Sequence, residues 1–553
     1  MTESADMLAV LEEACTKEPG NAAHWRALGG YCAARHDFGR AWVALERALT
    51  LEPEHDECVS LLGWVLNEMG ETRLALQLLT PATLGRSVSF GRRVRAALLL
   101  PQVYDSPGAL AEWRKRYSEG LAGLRADLPQ YYADPMRVFE LNQTNFLLAY
   151  QGGNDIELQR LYSGMLGELI GRAKPDLVRP RMPRSDRKRL RVAFVSGFLR
   201  ECTIGHYFRS WIEDLDRERF EVIVVFTGSE TDATTRALGA AAAKLVVCSG
   251  NALAIAQAVS EAAPDILIYP EIGMQASNYL LANMRLAPVQ CAAWGHPVTT
   301  GATQIDFVFT CTGMEPDDAE RHYTERLLRL PGIGTRYRRP EETSGALRHG
   351  SFGLAQDAHL YVCPQSLFKV HHDNDAIYLD IIEADPRAVL IFFQETGRQT
   401  TMTFANRLSR GMAARKLPQR RQVKFLPRLD ATGFRAVLNV ADVILDTLHW
   451  SGGNTSLDAL SVGAPLVTLP GAFMRGRQSK AMLEMLELPE LIVGGPGEMV
   501  ATALRIAGNA DLRHDLSQRI LARVDVLFDR VEPIRALEVH LDRLGRGDVA
   551  PAG

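Results

Sequence analysis

The sequence predicts two doubly wound, Rossmann-like α/β lobes preceded by an all-α region. Three observations predict it. A 34-residue helical repeat occupies the first hundred residues, apolar β-branched runs alternate with helical patterns from Leu190 onward, and that alternation breaks near residues 335–350. Strands that are apolar throughout, with helices between them, imply parallel sheets covered on both faces. Two such sets imply two lobes with a cleft, and ligands of such sheets bind at the carboxyl ends of the strands.

The repeat comes first. Trp25, Leu28, Gly29, Ala41, Leu45, Ala48 and Pro53 stand where a tetratricopeptide repeat places its large, small and breaker residues. A shift of one repeat lands on Val59, Leu62, Gly63, Ala75, Leu79 and Ala82, and a partial unit ending in Ala14 and Pro19 precedes them. Each repeat buries its face on a neighbour, so these units must stack on the helices predicted over 85–178. The repeats serve either as scaffold or as a groove for a polypeptide. The expected division is 1–83 for the repeats, 84–185 for a helical linker region packing on the lobes, 186–345 for a first lobe, and 346–553 for a second lobe with terminal helices. Arg179 to Arg189 is rich in Pro and Arg and reads as a solvated linker.

In the first lobe the predicted strands are 191–196, 221–226, 245–248, 266–269 and 307–310. In the second they are 360–363, 389–393, 423–426, 443–445 and 466–469. The bulk properties exclude several classes. With 46% hydrophobic and 23% charged residues the chain is an ordinary globular protein, and 62 basic against 66 acidic residues create no field for nucleic acid or an anionic membrane. Eight cysteines are scattered singly, which argues for a reducing compartment and against a disulfide framework or a zinc site. The start, Met1-Thr-Glu-Ser-Ala-Asp, lacks a signal peptide's basic and apolar regions, and no apolar run is long enough to span a bilayer. A cytoplasmic chain is expected.

The chemistry concentrates in Val443–Leu460. An apolar run ends at Asp446, a turn at Gly452-Gly453 follows, and Asn454-Thr455-Ser456 opens a helix-patterned segment carrying Asp458. Glycines let a ligand approach the backbone, and the free N–H groups and dipole of the helix start attract an anion, most plausibly a phosphate. Asp458, one turn in, is placed to hold a ribose hydroxyl. The same junction also serves plain connectivity. Lys369, beyond the strand 360–363, can neutralise charge on a leaving diphosphate. Asp373-Asn-Asp375 offers a carboxylate pair for a metal but reads more simply as the cap and first turn of a helix, so a metal-free site is expected. His296, in Gly295-His-Pro-Val-Thr-Thr300, titrates near neutrality and suits contact with a sugar hydroxyl or a proton, with Thr299 and Thr300 offering hydroxyls to the ligand.

These stretches resemble, in order, the O-GlcNAc transferase and SPINDLY glycosyltransferases. The motifs are Arg285-Leu-Ala-Pro-Val-Gln-Cys-Ala-Ala-Trp-Gly-His-Pro-Val-Thr-Thr-Gly301, Tyr361-Val-Cys-Pro-Gln-Ser-Leu-Phe-Lys369, Val443 to Gly471, and Pro470-Gly-Ala-Phe-Met-Arg-Gly-Arg477. The resemblance covers roughly residues 105–500. It implies a GT-B fold and an inverting, metal-independent protein glycosyltransferase moving a sugar, GlcNAc from UDP-GlcNAc, to Ser or Thr of a polypeptide. It assigns Gln365, Lys369, Phe434, Gly452, Gly453, Asn454, Thr455, Ser456 and Asp458 to the donor. Lys369, His296 and His206 are the catalytic candidates. No cofactor is implied beyond the donor itself, and the partners are the donor and a polypeptide presented by the repeats.

Three departures bear on these roles. Cys202 stands where many relatives carry a His regarded as a catalytic base, which leaves the base to His206, to His296 or to no side chain. Gly453 and Phe434 stand where animal relatives carry histidines beside the diphosphate and on the uracil. Asp306, in Gln304-Ile-Asp-Phe307, matches a family element with a structural or a functional role. The stretch from Gly273 to Cys291 also resembles the bacterial asparagine glucosyltransferases, so an Asn acceptor with a UDP-hexose is the alternative. A non-catalytic scaffold is the third reading.

Overall fold

The computed structural model describes residues 2–80, 88–182, 187–341, 355, 357–418 and 422–548. They form two compact units, Met1–Tyr131 with Glu395–Asn406, and Tyr132–Gln394 with Arg407–Gly553.

In the first unit the helices Thr2–Lys17, Ala22–Ala34, Phe38–Leu51, Asp56–Glu68 and Thr72–Leu79 follow one another through turns of three or four residues. Polar side chains start three of them: Asn21 accepts from the N–H of Ala23, Asp37 from Arg40, and the His55 ring from Cys58. The two repeats pack identically. A Cβ on Gly29 would lie 2.6 Å from Leu45 Cγ, and one on Gly63 would lie 2.8 Å from Leu79 Cγ, so the absent side chain at each position makes room for a fully buried leucine. Burying each leucine contributes about 2 kcal/mol. Ala82, expected to close the second repeat, lies outside the described residues. Phe90–Leu98 and Pro107–Asp127 continue the unit, with Gly120 closing on Ala97. The next long helix, Ile156–Ala173, belongs to the second unit, where its Ser163 hydroxyl donates to the carbonyl of Thr300 at 2.7 Å. The stretch 84–185, expected as one region, thus falls in two units.

The second unit holds two parallel sheets. The first comprises β1 (Leu190–Ser196), β2 (Phe220–Phe226), β3 (Lys244–Val247), β4 (Ile266–Tyr269), β5 (Val289–Ala292), β6 (Phe307–Cys311) and β7 (Arg326–Leu330), in the order β3-β2-β1-β4-β5-β6-β7. The second comprises β8 (His359–Val362), β9 (Ala388–Phe393), β10 (Val423–Leu426), β11 (Val443–Leu445) and β12 (Leu466–Val467), in the order β10-β9-β8-β11-β12. Every pair is parallel. Strand order reverses between β1 and β4 in one sheet and between β8 and β11 in the other, and a reversal opens the crevice where such sheets take ligands. All ten predicted strands are present within a residue or two; β5 and β7 are additional.

The last helix, Glu532–Gly545, returns to the first sheet rather than staying with the second lobe, where 346–553 had been expected to keep it. Ile534, Leu537, Leu541 and Leu544 are buried, Glu538 accepts from the N–H of Asp216 at 2.9 Å, and Gly545 packs on Leu190. That stripe at helical spacing finds its cover on the first sheet, at the start of β1 and on β4 and β7. Among the described residues no helix is long and apolar enough to cross a membrane. The eight cysteines are unpaired.

Candidate functional site

The second sheet's reversal gathers two loops. After β8 the chain runs through Gln365 into a single 3₁₀ turn, Leu367–Lys369; after β11 it runs from Asp446 through Gly453 into the helix Asn454–Ser461. Buried Asp446 organises the second loop. One carboxylate oxygen accepts from the N–H of Gly452 at 2.8 Å and of Thr447 at 3.0 Å, and the other from the Thr468 hydroxyl at 2.7 Å. Ser451 Oγ accepts from the N–H of Gln478 at 2.8 Å. The loop closes so tightly on the helix start that a Cβ on Gly452 would lie 2.7 Å from Thr455 Oγ1 and would overlap Ser456 Oγ.

Polar atoms are left over here. Gln365 is 1% exposed, yet neither its Oε1 nor its Nε2 has a partner, and the same holds for Asn454 Oδ1 and Thr455 Oγ1. Across the crevice, the Tyr207 hydroxyl, 3.1 Å from the Cβ position of Gly453, and His296 Nε2 are also unpaired. A buried polar atom without a partner costs about 1–3 kcal/mol. Several of them around one glycine turn mark a surface that a polar ligand completes. The Lys369 ammonium lies 5.8 Å from the centre of the Phe368 ring and 5.7 Å from that of Trp450.

Asp458 lies 3.8 Å from Arg435, and burial outweighs that guanidinium and His206 to push its carboxyl up to about 6. His206 is held at 2.7 Å by Glu201, which also accepts from the Thr234 hydroxyl. His296 is almost fully buried, stacked on Phe146 at 5.4 Å and tilted against Trp450 at 5.9 Å. Burial, then Arg475 and Lys369, hold it down at about 3, so its imidazole is neutral. Phe434 packs on Phe393 at 5.1 Å.

Other candidates are occupied elsewhere. Ser456 Oγ pairs with Ser479 Oγ at 2.8 Å. Thr299 and Thr300 do not offer hydroxyls to the crevice: Thr299 donates to Glu325 at 2.7 Å, and Thr300 bonds the same carboxylate through both its hydroxyl and its N–H, the latter at 2.8 Å. Asp306 is structural, paired twice with Arg285 at 2.7 and 3.1 Å and accepting from the N–H of Gln290. Cys202 Sγ rests 3.2 Å from the carbonyl of Phe198, and burial pushes its thiol up. Asp373 stands at the cap position of Asn374–Ala384 but makes no side-chain cap bond; Asp375 pairs with Arg407 at 2.7 Å.

Three features had no signal in the sequence beyond motif membership. Arg475 is 4% exposed, donates to the carbonyl of Gly153 at 2.5 Å and pairs with Asp155 at 3.4 Å. The aromatic cluster of Phe146, Tyr150, Phe368 and Trp450 floors the crevice beside His296. Glu271, after β4, is fully buried; Asn278 donates to it at 2.9 Å, its second oxygen is unpaired, and burial pushes its carboxyl up to about 8.

Two doubly wound parallel sheets with their reversals in one unit define a GT-B architecture. The profile of glycosyl transferase family 41 matches residues 341–531. A protein of Arabidopsis thaliana described as a probable UDP-N-acetylglucosamine–peptide N-acetylglucosaminyltransferase, SEC, is 26% identical over 64% of this chain and 36% of its own length. A SPINDLY protein of Solanum lycopersicum is 26% identical over 51% of this chain and 30% of its own. The UDP-glucose:protein N-beta-glucosyltransferase of Actinobacillus pleuropneumoniae is 26% identical over 50% and 44%. The chain thus spans about a third of the length of the plant relatives it matches. A solved structure of a mutant O-GlcNAc transferase from Thermobaculum terrenum superposes with a TM-score of 0.70 at 24% identity, over 98% of this chain and 94% of that one, a likeness of fold. The kinship with the O-GlcNAc transferase and SPINDLY proteins, read first from the motifs, is borne out.

Proposed function

We propose that the chain is an inverting, metal-independent protein glycosyltransferase that moves GlcNAc from UDP-GlcNAc to Ser or Thr of a polypeptide. The carrying observation is the set of unpaired polar atoms of Gln365, Asn454 and Thr455 around the Gly452-Gly453 turn. In this reading the diphosphate lies against the helix start and Lys369, Asp458 takes a ribose hydroxyl, and Phe434 lies by the base. The acceptor oxygen attacks the anomeric carbon from the face opposite the diphosphate. A carbon–oxygen bond forms as the bond to the diphosphate breaks, and the electron pair leaves on the phosphate, where Lys369 and the helix dipole stabilise it. His296, held at about 3, is a weak base at neutral pH, whereas His206, backed by Glu201, is the better candidate for the hydroxyl proton.

The likeness to the A. pleuropneumoniae enzyme supports a second reading, transfer of a hexose from its UDP-sugar to Asn. Thermal shift with UDP, GDP and their sugars, followed by mass spectrometry of modified acceptor peptides, separates the two. The first reading requires a UDP-GlcNAc shift and modified Ser or Thr; modified Asn selects the second, and no shift with any nucleotide sugar overturns both. We also propose that the repeats present the acceptor. A folded chain lacking residues 1–83 that glycosylates protein at the full rate would refute that.

A further inference from the structure

The two loops that frame the proposed donor site also meet at a separate cluster. His371 and His372 follow Lys369, His449 precedes Trp450, and Asp373 stands between them at the start of Asn374–Ala384. His449 Nε2 is 2.8 Å from Asp373 Oδ2, His371 Nδ1 is 3.2 Å from the same oxygen, and His372 Nε2 is 3.3 Å from Oδ1. One donor atom each from His371, Asp373 and His449 lies within 4.8 Å of the others. Metal bonds to imidazole and carboxylate of about 2.0–2.2 Å put tetrahedral ligand atoms roughly 3.3 Å apart, so these three stand close to coordinating distance.

Their ordinary roles do not account for the arrangement. Asp373 makes no cap bond. His371 Nδ1 also receives a long contact from the N–H of Asp373 at 3.3 Å, which ligation through this nitrogen would replace. His372 Nδ1 is buried without a hydrogen-bond partner. His449 has a φ of 69°, a left-handed conformation that is unfavourable for a histidine, and its ring sits 3.0 Å from the Cβ position of Gly152, where only glycine leaves room.

The geometry points to His371, Asp373 and His449 as a binding site for a divalent transition metal such as zinc, with water completing its coordination. Two imidazoles and one carboxylate suit zinc, cobalt or nickel and disfavour magnesium or calcium. The ion joins the loop carrying Lys369 to the loop carrying Gly452 and Gly453 without being the counter-ion of the diphosphate. It rests on this cluster alone, independently of the transferase reading.

The test uses the full chain, stripped with a chelator, dialysed and titrated with Co²⁺ while its visible d–d absorption is followed. The wild type and a control, His514→Gln on an exposed helix, take up one equivalent. His449→Asn, chosen because Asn tolerates the left-handed backbone, and Asp373→Asn each weaken binding at least about 100-fold, more than losing an outer-shell partner costs. The two variants change different loops, so misfolding of one, seen by circular dichroism, leaves the other decisive. Absence of saturable Co²⁺ binding, or unchanged binding in a folded variant of either kind, overturns the site. UDP affinity, measured separately, reports on the transferase reading and not on this one.

Discussion

The two sheets share a topology and differ in what their reversals leave unsatisfied. At the first, between β1 and β4, Ser196 Oγ accepts from the N–H of Phe198, Gln275 pairs with Thr227, and Asn278 donates to Glu271, while Glu271 Oε2 and Asn278 Oδ1 stay unpaired. At the second, between β8 and β11, Gln365, Asn454 and Thr455 keep unpaired atoms around a glycine turn, with Lys369 beside them. The first leaves its unpaired atoms within one bonded carboxyl–amide pair, Glu271 and Asn278. The other stays polar and incomplete, which is what a site for an anionic ligand requires.

The most damaging change to this contrast is Lys369→Ala. Stabilisation of the departing diphosphate by a positioned cation is worth roughly 3–4 kcal/mol, so kcat should fall about 10²–10³-fold with the melting temperature unchanged. Turnover at the wild-type rate would remove Lys369 from the site. The sharper test compares two glutamines. Gln365→Ala, which removes unpaired atoms, should weaken nucleotide binding about 10-fold and leave stability level or slightly raised; Gln275→Ala, which breaks a satisfied pair, should lower the melting temperature and leave nucleotide affinity alone. Calorimetry and thermal melts on the two proteins check both halves, and equal effects would erase the distinction.

The smallest effect concerns Glu271. Its folded pKa of about 8 lies above the ordinary carboxyl value of 4.5, so its contribution is fully present below about pH 4.5 and is lost as pH rises through 8. Glu271→Gln carries no such proton linkage. The melting temperature of the variant minus that of the wild type should therefore climb by a few degrees between about pH 5 and pH 8 and level off above. A flat difference would mean that Glu271 ionises freely in the fold.

How far the sequence could be read depends on whether the information is local. Gly29 and Gly63, one repeat apart, stood out because each meets a leucine at a fixed offset, and Gly452 to Asp458 stood out because a strand, a glycine turn and a helix start are consecutive. β7 escaped notice because arginines at 326 and 329 interrupt its apolar run at the sheet edge, and β5 because after Val289 its four positions hold only Gln290, Cys291 and Ala292. Thr299 and Thr300 were misread because their partner, Glu325, lies 25 or 26 positions away and only the fold brings it under them. The same holds for Asp373, whose neighbour His449 is 76 positions distant. The terminal helix Glu532–Gly545 looked like part of the second lobe because an apolar stripe announces burial without naming the surface that covers it.

The central claim is that the second sheet's reversal binds a nucleoside diphosphate through Lys369 and the helix start at Asn454–Ser456, with no metal on the phosphates. Calorimetric titration of UDP into the wild type and Lys369→Ala, both in excess EDTA, tests it most directly. The account predicts saturable one-to-one binding by the wild type in the chelator and at least about 10-fold weaker binding by Lys369→Ala, the share of a charge-assisted contact. UDP binding that vanishes in EDTA and returns with magnesium or manganese, or equal affinity in the two proteins, would contradict it.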